Sequence, residues 1–307
     1  MSEEADIQPI KPTGARSGFK WGWVLRKTIL VMLLLPVVLA ALLPIYLVPA
    51  IGQPFYNLML FHPWKYPNGL YTGAAMLGIE PADQYFTAED GSKLHGWLFR
   101  VPGARHVVLL SDGNGGNMTY RRAIALKFIQ NRESVFMYDY RGYGRSEGEP
   151  SMEGIRQDGL AAYNYLKDGL HYLPRQIILC GESLGTVVTG YLAPRVESAG
   201  IVVQCPLYSF RRRAQELVPI LNIYSPWMWP AGGLDISSAF SGKHAPLLII
   251  SGTADPMTPV KHADDLFAGA SEPKMYVRIK GGGHGDPSMM AAHEYDIGLR
   301  KFLSLLS

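Results

Sequence analysis

Beyond residue 80, short apolar runs alternate with stretches of helix-forming composition, and this pattern narrows the possible folds more than any other feature of the chain. Strand-like runs fall at 106–110, 134–138, 176–180, 201–205, 247–250 and 275–279. Between them, 120–130, 152–167, 187–196 and 260–268 read as helices, and 289–306 closes the chain as another. Ahead of the series, 84–88 and 93–101 flank Glu89-Asp90-Gly91-Ser92, which predicts a hairpin with an Asp-Gly turn. Strand–helix alternation at this spacing predicts an α/β architecture: a mostly parallel central sheet with helices on both faces and the hairpin at its front edge. Ligands of such sheets bind at the carboxyl ends of the strands, so chemistry is expected there.

Composition excludes several other classes. In 307 residues, 48% hydrophobic and 18% charged residues fit a packed core and exclude a disordered chain. The net charge of +3 comes largely from the front. The 29 basic and 26 acidic residues fall to 24 and 23 once residues 1–27, with five bases and three acids, are set aside. The body offers no basic stripe for nucleic acid, and Arg211, Arg212 and Arg213 read as a solvated helix start. Cys180 and Cys205 each lie in an apolar run, which makes them small core residues and neither a disulfide framework nor a metal quartet.

From Thr28 to Ala50 no residue is charged, a length of roughly 35 Å as a helix against a hydrocarbon core of ~30 Å. Trp21, Trp23 and Tyr46 stand near its ends, where amphipathic rings suit the interface. A cleaved signal peptide is the competing reading, because Val38-Leu39-Ala40 resembles a cleavage site. The run is longer than a signal core and 27 residues precede it, which favours an uncleaved anchor. Five bases precede the span and Lys65 follows it, so the expected orientation is tail in the cytoplasm and body outside or in a lumen. The expected organisation is a tail at 1–27, a transmembrane anchor at 28–50, a juxtamembrane segment at 51–79 and a catalytic domain at 80–307. In the juxtamembrane segment Phe55, Tyr56, Phe61, Trp64 and Tyr66 are expected against lipid headgroups.

Gly181-Glu182-Ser183-Leu184-Gly185 matches G-x-S-x-G, a weak signal alone that gains weight from the strand-like run before it and the helix-like run after it. A sharp strand-to-helix turn crowds the positions two residues either side of the serine, which explains both glycines. The hydroxyl needs a base, and His284 in Gly281-Gly282-Gly283-His284-Gly285-Asp286 is the best placed of eight histidines. Asp255, just after the run at 247–250, fits best as the carboxylate that orients it. Asp264 and Asp265 read as a solvated helix face. The order Ser183, Asp255, His284 is that of α/β-hydrolases.

These motifs, with Asp112-Gly113-Asn114-Gly115-Gly116-Asn117, Asp139-Tyr140-Arg141-Gly142-Tyr143-Gly144-Arg145-Ser146 and Gly252-Thr253-Ala254-Asp255, give the chain a family resemblance over residues ~80–307. It resembles the small-lid, membrane-anchored α/β-hydrolases related to monoacylglycerol lipases, lysophospholipases and protein depalmitoylases. The resemblance implies Ser183 as nucleophile, His284 as base, Asp255 as its orienter, and an oxyanion hole from the backbone N–H groups of Asn114 and Leu184. It implies no cofactor and no metal. Relatives carry His-Gly where this chain has Asp112-Gly113, and a carboxylate there would oppose a developing oxyanion unless it turned away or bonded backbone N–H groups. The block at 139–146 is expected to shape a loop beside the site without taking part in catalysis.

The expected activity is hydrolysis of carboxylic esters or thioesters with an apolar acyl group, through an acyl-enzyme. A serine peptidase of aminopeptidase type and a non-catalytic anchored scaffold are the alternatives. The stretch at about 207–246 is long enough for a small lid, and its Trp227 and Trp229 are expected either to line an acyl pocket, to touch the bilayer, or to pack the lid onto the core.

Overall fold

The computed structural model describes residues 21–46, 48, 53–229, 235–285, 288 and 292–306. Lys11, Arg16 and Lys20 of the tail, residues 47 and 49–50 at the end of the expected span, Phe55's side chain, Pro230, Asp286 and residues 289–291 of the last expected helix lie outside the described parts.

Eight strands form one sheet: β1 (Ala82–Thr87), β2 (Lys93–Phe99), β3 (Val107–Ser111), β4 (Ser134–Tyr138), β5 (Ile177–Glu182), β6 (Gly200–Gln204), β7 (Leu247–Gly252) and β8 (Lys274–Ile279). Their spatial order is β8-β7-β6-β5-β3-β4-β2-β1. The strands from β3 onward pair in parallel, whereas β1 and β2 form the antiparallel hairpin at one edge. Its turn is closed by Gly91 donating to the Ala88 carbonyl and by Ser92 donating to the Asp90 side chain.

Period-two alternation sorts the buried strands onto two faces. Leu109, Phe136, Leu179, Val203 and Ile249 pack one apolar layer, with α4 (Met152–Asn164), α5 (Gly185–Leu192) and α7 (Val260–Gly269) over it. Val108, Val135, Cys180, Val202 and Ile250 pack the other, under α3 (Arg122–Gln130) and a C-terminal helix, α8 (Ala292–Leu303). Both cysteines are buried and free.

Ahead of the sheet, α1 (Trp21–Tyr46) begins before the charge-free run and takes in Arg26 and Lys27, with Pro36 and Pro44 inside it. A second helix, α2 (Gln53–Leu60), leads to a two-residue parallel pairing of His62-Pro63 with Gly115-Gly116. For two of the segment's aromatics this corrects the expectation that they lie against headgroups. Tyr56 and Phe61 are buried in the body, while Trp64 and Tyr66 stay exposed.

The loop after β4 is held by a buried ion pair. The Arg141 guanidinium donates to both Asp158 carboxylate oxygens, at 2.8–3.2 Å, and Asp158 lies on α4 with no exposed surface. The Arg141 backbone N–H donates to Asp158 as well, at 2.8 Å. Removing Asp158 leaves the buried Arg141 guanidinium paired only with the half-exposed Asp90 carboxylate among the described residues, which costs about 3 kcal/mol. Asp158→Ala is therefore expected to lower the melting temperature sharply, while Arg141→Met with Asp158→Leu recovers most of the loss. Equal melting temperatures for wild type and Asp158→Ala would refute the role given to this pair.

Candidate active site

The site is built at the carboxyl end of β5. Ser183 follows that strand with φ of +53°, a left-handed conformation rare for a side-chain-bearing residue, and α5 begins two residues on. A Cβ at Gly181 would stand 2.3 Å from the Gly185 carbonyl oxygen, and one at Gly185 would stand 2.1 Å from that of Ser111. Only glycine fits either place. The turn therefore packs tightly on itself and on the end of β3, which leaves the Ser183 hydroxyl standing above the sheet.

Ser183 Oγ lies 2.8 Å from His284 Nε2, and His284 Nδ1 lies 2.8 Å from Asp255 Oδ2. An ionised carboxylate only accepts, so the imidazole carries its proton on Nδ1 and presents the Nε2 lone pair to the serine O–H. Asp255 is itself fixed, accepting from the Met257 and Thr258 N–H groups at 2.7 and 2.9 Å and from the Thr258 hydroxyl at 2.8 Å. Burial would push its carboxyl up, but the hydrogen bonds from His284 and Thr258 outweigh that and hold it below the usual carboxylate value. It stays charged beside the imidazole. The sequence brought these three residues together from positions 101 and 29 apart along the chain.

Cys205 also lies close, its thiol donating to the His284 carbonyl at 3.1 Å. Cys205, Asp255 and His284 present donor atoms within 4.8 Å of one another. Burial pushes the Cys205 thiol far up, so the sulfur is no ready thiolate ligand, and the Asp and His atoms already face each other. The donor set reads as an Asp–His pair beside a core thiol.

Leu184 follows Ser183 in the turn and Asn114 lies on the loop after β3, and among the described residues neither backbone N–H donates a hydrogen bond. The loop carrying Asn114 is pinned through its carbonyls. Tyr140 donates its hydroxyl to the Asp112 carbonyl at 2.8 Å, and Tyr143 donates to that of Asn114 at 2.7 Å. His62 N–H donates to the same Asn114 carbonyl at 2.9 Å, and the Asn114 side-chain amide reaches the Leu60 carbonyl at 3.0 Å. The segment after α1 thus forms one wall of this loop.

Asp112 is buried and turned onto its own loop, accepting from the Gly113 N–H at 2.6 Å. Arg121 bridges it to Glu182, the residue before the serine, with Nε 2.8 Å from Asp112 and 2.7 Å from Glu182. The bridge ties the Asn114 loop to the serine turn and neutralises charge that would oppose an oxyanion. The sequence showed no sign of Arg121 or Thr258, and it placed Tyr140 and Tyr143 in the loop beside the site without a role of their own. The Tyr140-x-x-Tyr143 spacing in a loop beside the site was the available signal. Three other histidines are bound elsewhere: His95 to Asp83, His106 to Glu133 and His262 to Glu216.

The two lid tryptophans part company. Trp229 is buried with Leu221 and Tyr224 and packs edge-on to Phe210, so it holds the lid together. Trp227 is 81% exposed. Arg212 and Arg213 at the start of α6 (Phe210–Leu217) are engaged, not simply solvated. Arg212 pairs with Glu216 and Asp265, and Arg213 pairs with Glu216 and donates to the Pro256 carbonyl. Asp264 likewise accepts from the Tyr276 hydroxyl.

Residues 102–244 match the family model described as serine aminopeptidase, S33. The uncharacterized protein Rv2307c of Mycobacterium tuberculosis is 32% identical over 229 residues, which cover 72% of this chain and 79% of that protein. The alpha/beta hydrolase domain-containing protein 17C of Xenopus tropicalis is 32% identical over 207 residues, covering 66% and 63%. Among solved structures, the Pyrococcus furiosus esterase Pf2001 superposes with a TM-score of 0.67 at 20% identity, over 80% of this chain and 98% of that one.

Burial, reinforced by Glu182, outweighs Arg121 and lifts the Asp112 carboxyl to about 7. A raised native value means that the folded chain holds a proton the unfolded chain releases, so this group's contribution to stability declines as pH climbs from the ordinary carboxylate value to about 7. Asp112→Asn has no such decline. Its melting temperature should gain on wild type between pH 5 and pH 8, by on the order of 5 °C. Parallel curves across that range would show that Asp112 does not titrate in this way.

Proposed function

The chain belongs to the same family as Rv2307c and has the α/β-hydrolase fold, and on that premise we propose that it is a membrane-anchored serine hydrolase of carboxylic esters or thioesters carrying an apolar acyl group. The observation that carries the proposal is the chain of two 2.8 Å contacts from Ser183 through His284 to Asp255. In this reading His284 Nε2 takes the Ser183 proton as Oγ attacks the acyl carbonyl, and Asp255 stabilises the imidazolium. The Asn114 and Leu184 N–H groups hold the oxyanion, and His284 returns the proton to the leaving group. Water, activated by the same imidazole, then releases the acid. The narrower likeness to monoacylglycerol lipases, lysophospholipases and depalmitoylases belongs to the proposal, as does the absence of a cofactor.

The description of the matched family model favours a second reading, an aminopeptidase. Such an enzyme needs a carboxylate free to hold the substrate's α-ammonium group. Among the described residues, the acids beside the serine turn, Asp112 and Glu182, are both engaged by Arg121, which supports the ester reading over this one.

A panel of p-nitrophenyl esters, thioesters and aminoacyl amides tests both readings. Each buried CH₂ contributes ~0.8 kcal/mol, so four added carbons should raise kcat/KM by up to about two hundredfold. Activity should climb from acetyl to about octanoyl. Ser183→Ala and His284→Ala should each lose on the order of 10³–10⁶ in turnover with the fold intact. A Ser183→Ala enzyme retaining a tenth of wild-type activity would end the proposal, and preference for aminoacyl amides would turn it to the peptidase reading.

Orientation follows from the flanking charges, with residues 1–27 cytoplasmic and the body extracytoplasmic. The helix Trp21–Tyr46, at ~1.5 Å per residue, is long enough to cross a bilayer. Protease added outside sealed cells should digest the body and spare the tail. A soluble product starting near Ala41 would show a cleaved signal instead.

A further inference from the structure

The chain from Leu217 to Trp229 contains no charged residue, nor does that from Tyr46 to Phe61. The fold lays these two segments together. In the first, Leu221, Tyr224 and Trp229 turn inward, and Val48, two residues past the end of α1, is buried among them. On α2, Tyr56 is buried beside Tyr224. With those side chains turned inward, their neighbours turn outward. Leu217, Ile220, Ile223 and Trp227 are 62, 60, 60 and 81% exposed, and Leu58 on α2 is 75% exposed.

Large apolar side chains scattered singly on a surface need no explanation, but an uncharged cluster of them marks an interaction site. The occupant is set by continuity. The end of α1 is two residues from Val48, so whatever surrounds that end lies within a few ångströms of this cluster. Most apolar residues of α1 between Ile29 and Leu39 are themselves exposed, and the helix is long enough to cross a bilayer. We infer that Leu58, Ile220, Ile223 and Trp227 form a docking face that seats the lid in the interfacial layer of the bilayer anchoring the chain, so that acyl substrates reach Ser183 from the membrane. Apolar and aromatic side chains drawn from uncharged stretches of chain suit that depth, with Trp227 at the headgroup level. This inference rests on the reading of α1 as an uncleaved anchor.

The full-length chain in phosphatidylcholine vesicles provides the test. Cys180 and Cys205 are buried, so a single introduced cysteine can be labelled selectively in the folded protein. Bimane is attached at Leu58→Cys, Ile223→Cys and, as a control, Ser304→Cys. Ser304 follows α8, near Arg105 and Glu133 at the amino ends of the strands and away from the lid. Uptake of a fluorophosphonate by each variant establishes that it is folded. Emission from positions 58 and 223 should shift to the blue and be quenched at least twofold by lipids spin-labelled near the headgroup, with position 304 quenched by less than a tenth. Aqueous emission at 58 and 223, with quenching no greater than at 304, would overturn the inference. So would a blue shift without lipid quenching, which would mean that a second copy of the chain covers the face. Failure of the chain to float with the vesicles would overturn the anchor and the docking face together. Hydrolysis of a soluble acetyl ester, measured alongside, separates these failures from failure of the hydrolase reading itself.

Discussion

The close approach of Gly185 to the end of β3 is the constraint on which the rest of the site depends. With side chains at 181 or 185 the turn could not fold back on itself, and Ser183 would not be forced to its positive φ. Backbone strain of this kind costs of order 1–3 kcal/mol and persists only where surrounding packing over-determines it. Here the packing is the fully buried β5 on one side and the buried first turns of α5 on the other. The apolar layers on the two faces of the sheet thus offset a local cost at the one place where a hydroxyl has to stand clear of the backbone.

From that turn the supports spread outward as a connected set. Arg121 joins Glu182 to Asp112, Tyr140 and Tyr143 hold the carbonyls of the Asn114 loop, and Arg141 with Asp158 holds the segment that bears those tyrosines. The segment after α1 completes the wall through Leu60 and His62. The apolar helix and the candidate active site are therefore not independent modules in this chain. The residues that follow the apolar helix touch the same loop that stands beside the nucleophile.

Much of this was legible in the sequence, and the parts that were not share a physical reason. Strand–helix alternation located the sheet because parallel strands buried on both faces read as short continuous apolar runs. Ser183, Asp255 and His284 could be picked out because a strand-end turn, an acid after a strand and a histidine among glycines each leave a local mark. Arg121 left none. Its role depends on a contact with Glu182 across 61 positions, and an arginine at the start of a helix looks like any solvated one. Asp112 was read as a threat to the oxyanion because its partner was invisible from the sequence. Trp227 and Trp229 looked equivalent two residues apart, yet the turn at 226–228 sends one outward and buries the other.

The central claim is that Ser183 is a nucleophile activated through His284. Mass spectrometry after brief exposure to a fluorophosphonate tests it most directly. One adduct per chain is expected, on the peptide containing Ser183, formed at least a hundredfold more slowly in His284→Ala. A stable adduct on any other residue, or labelling of Ser183 at the same rate without His284, would contradict it.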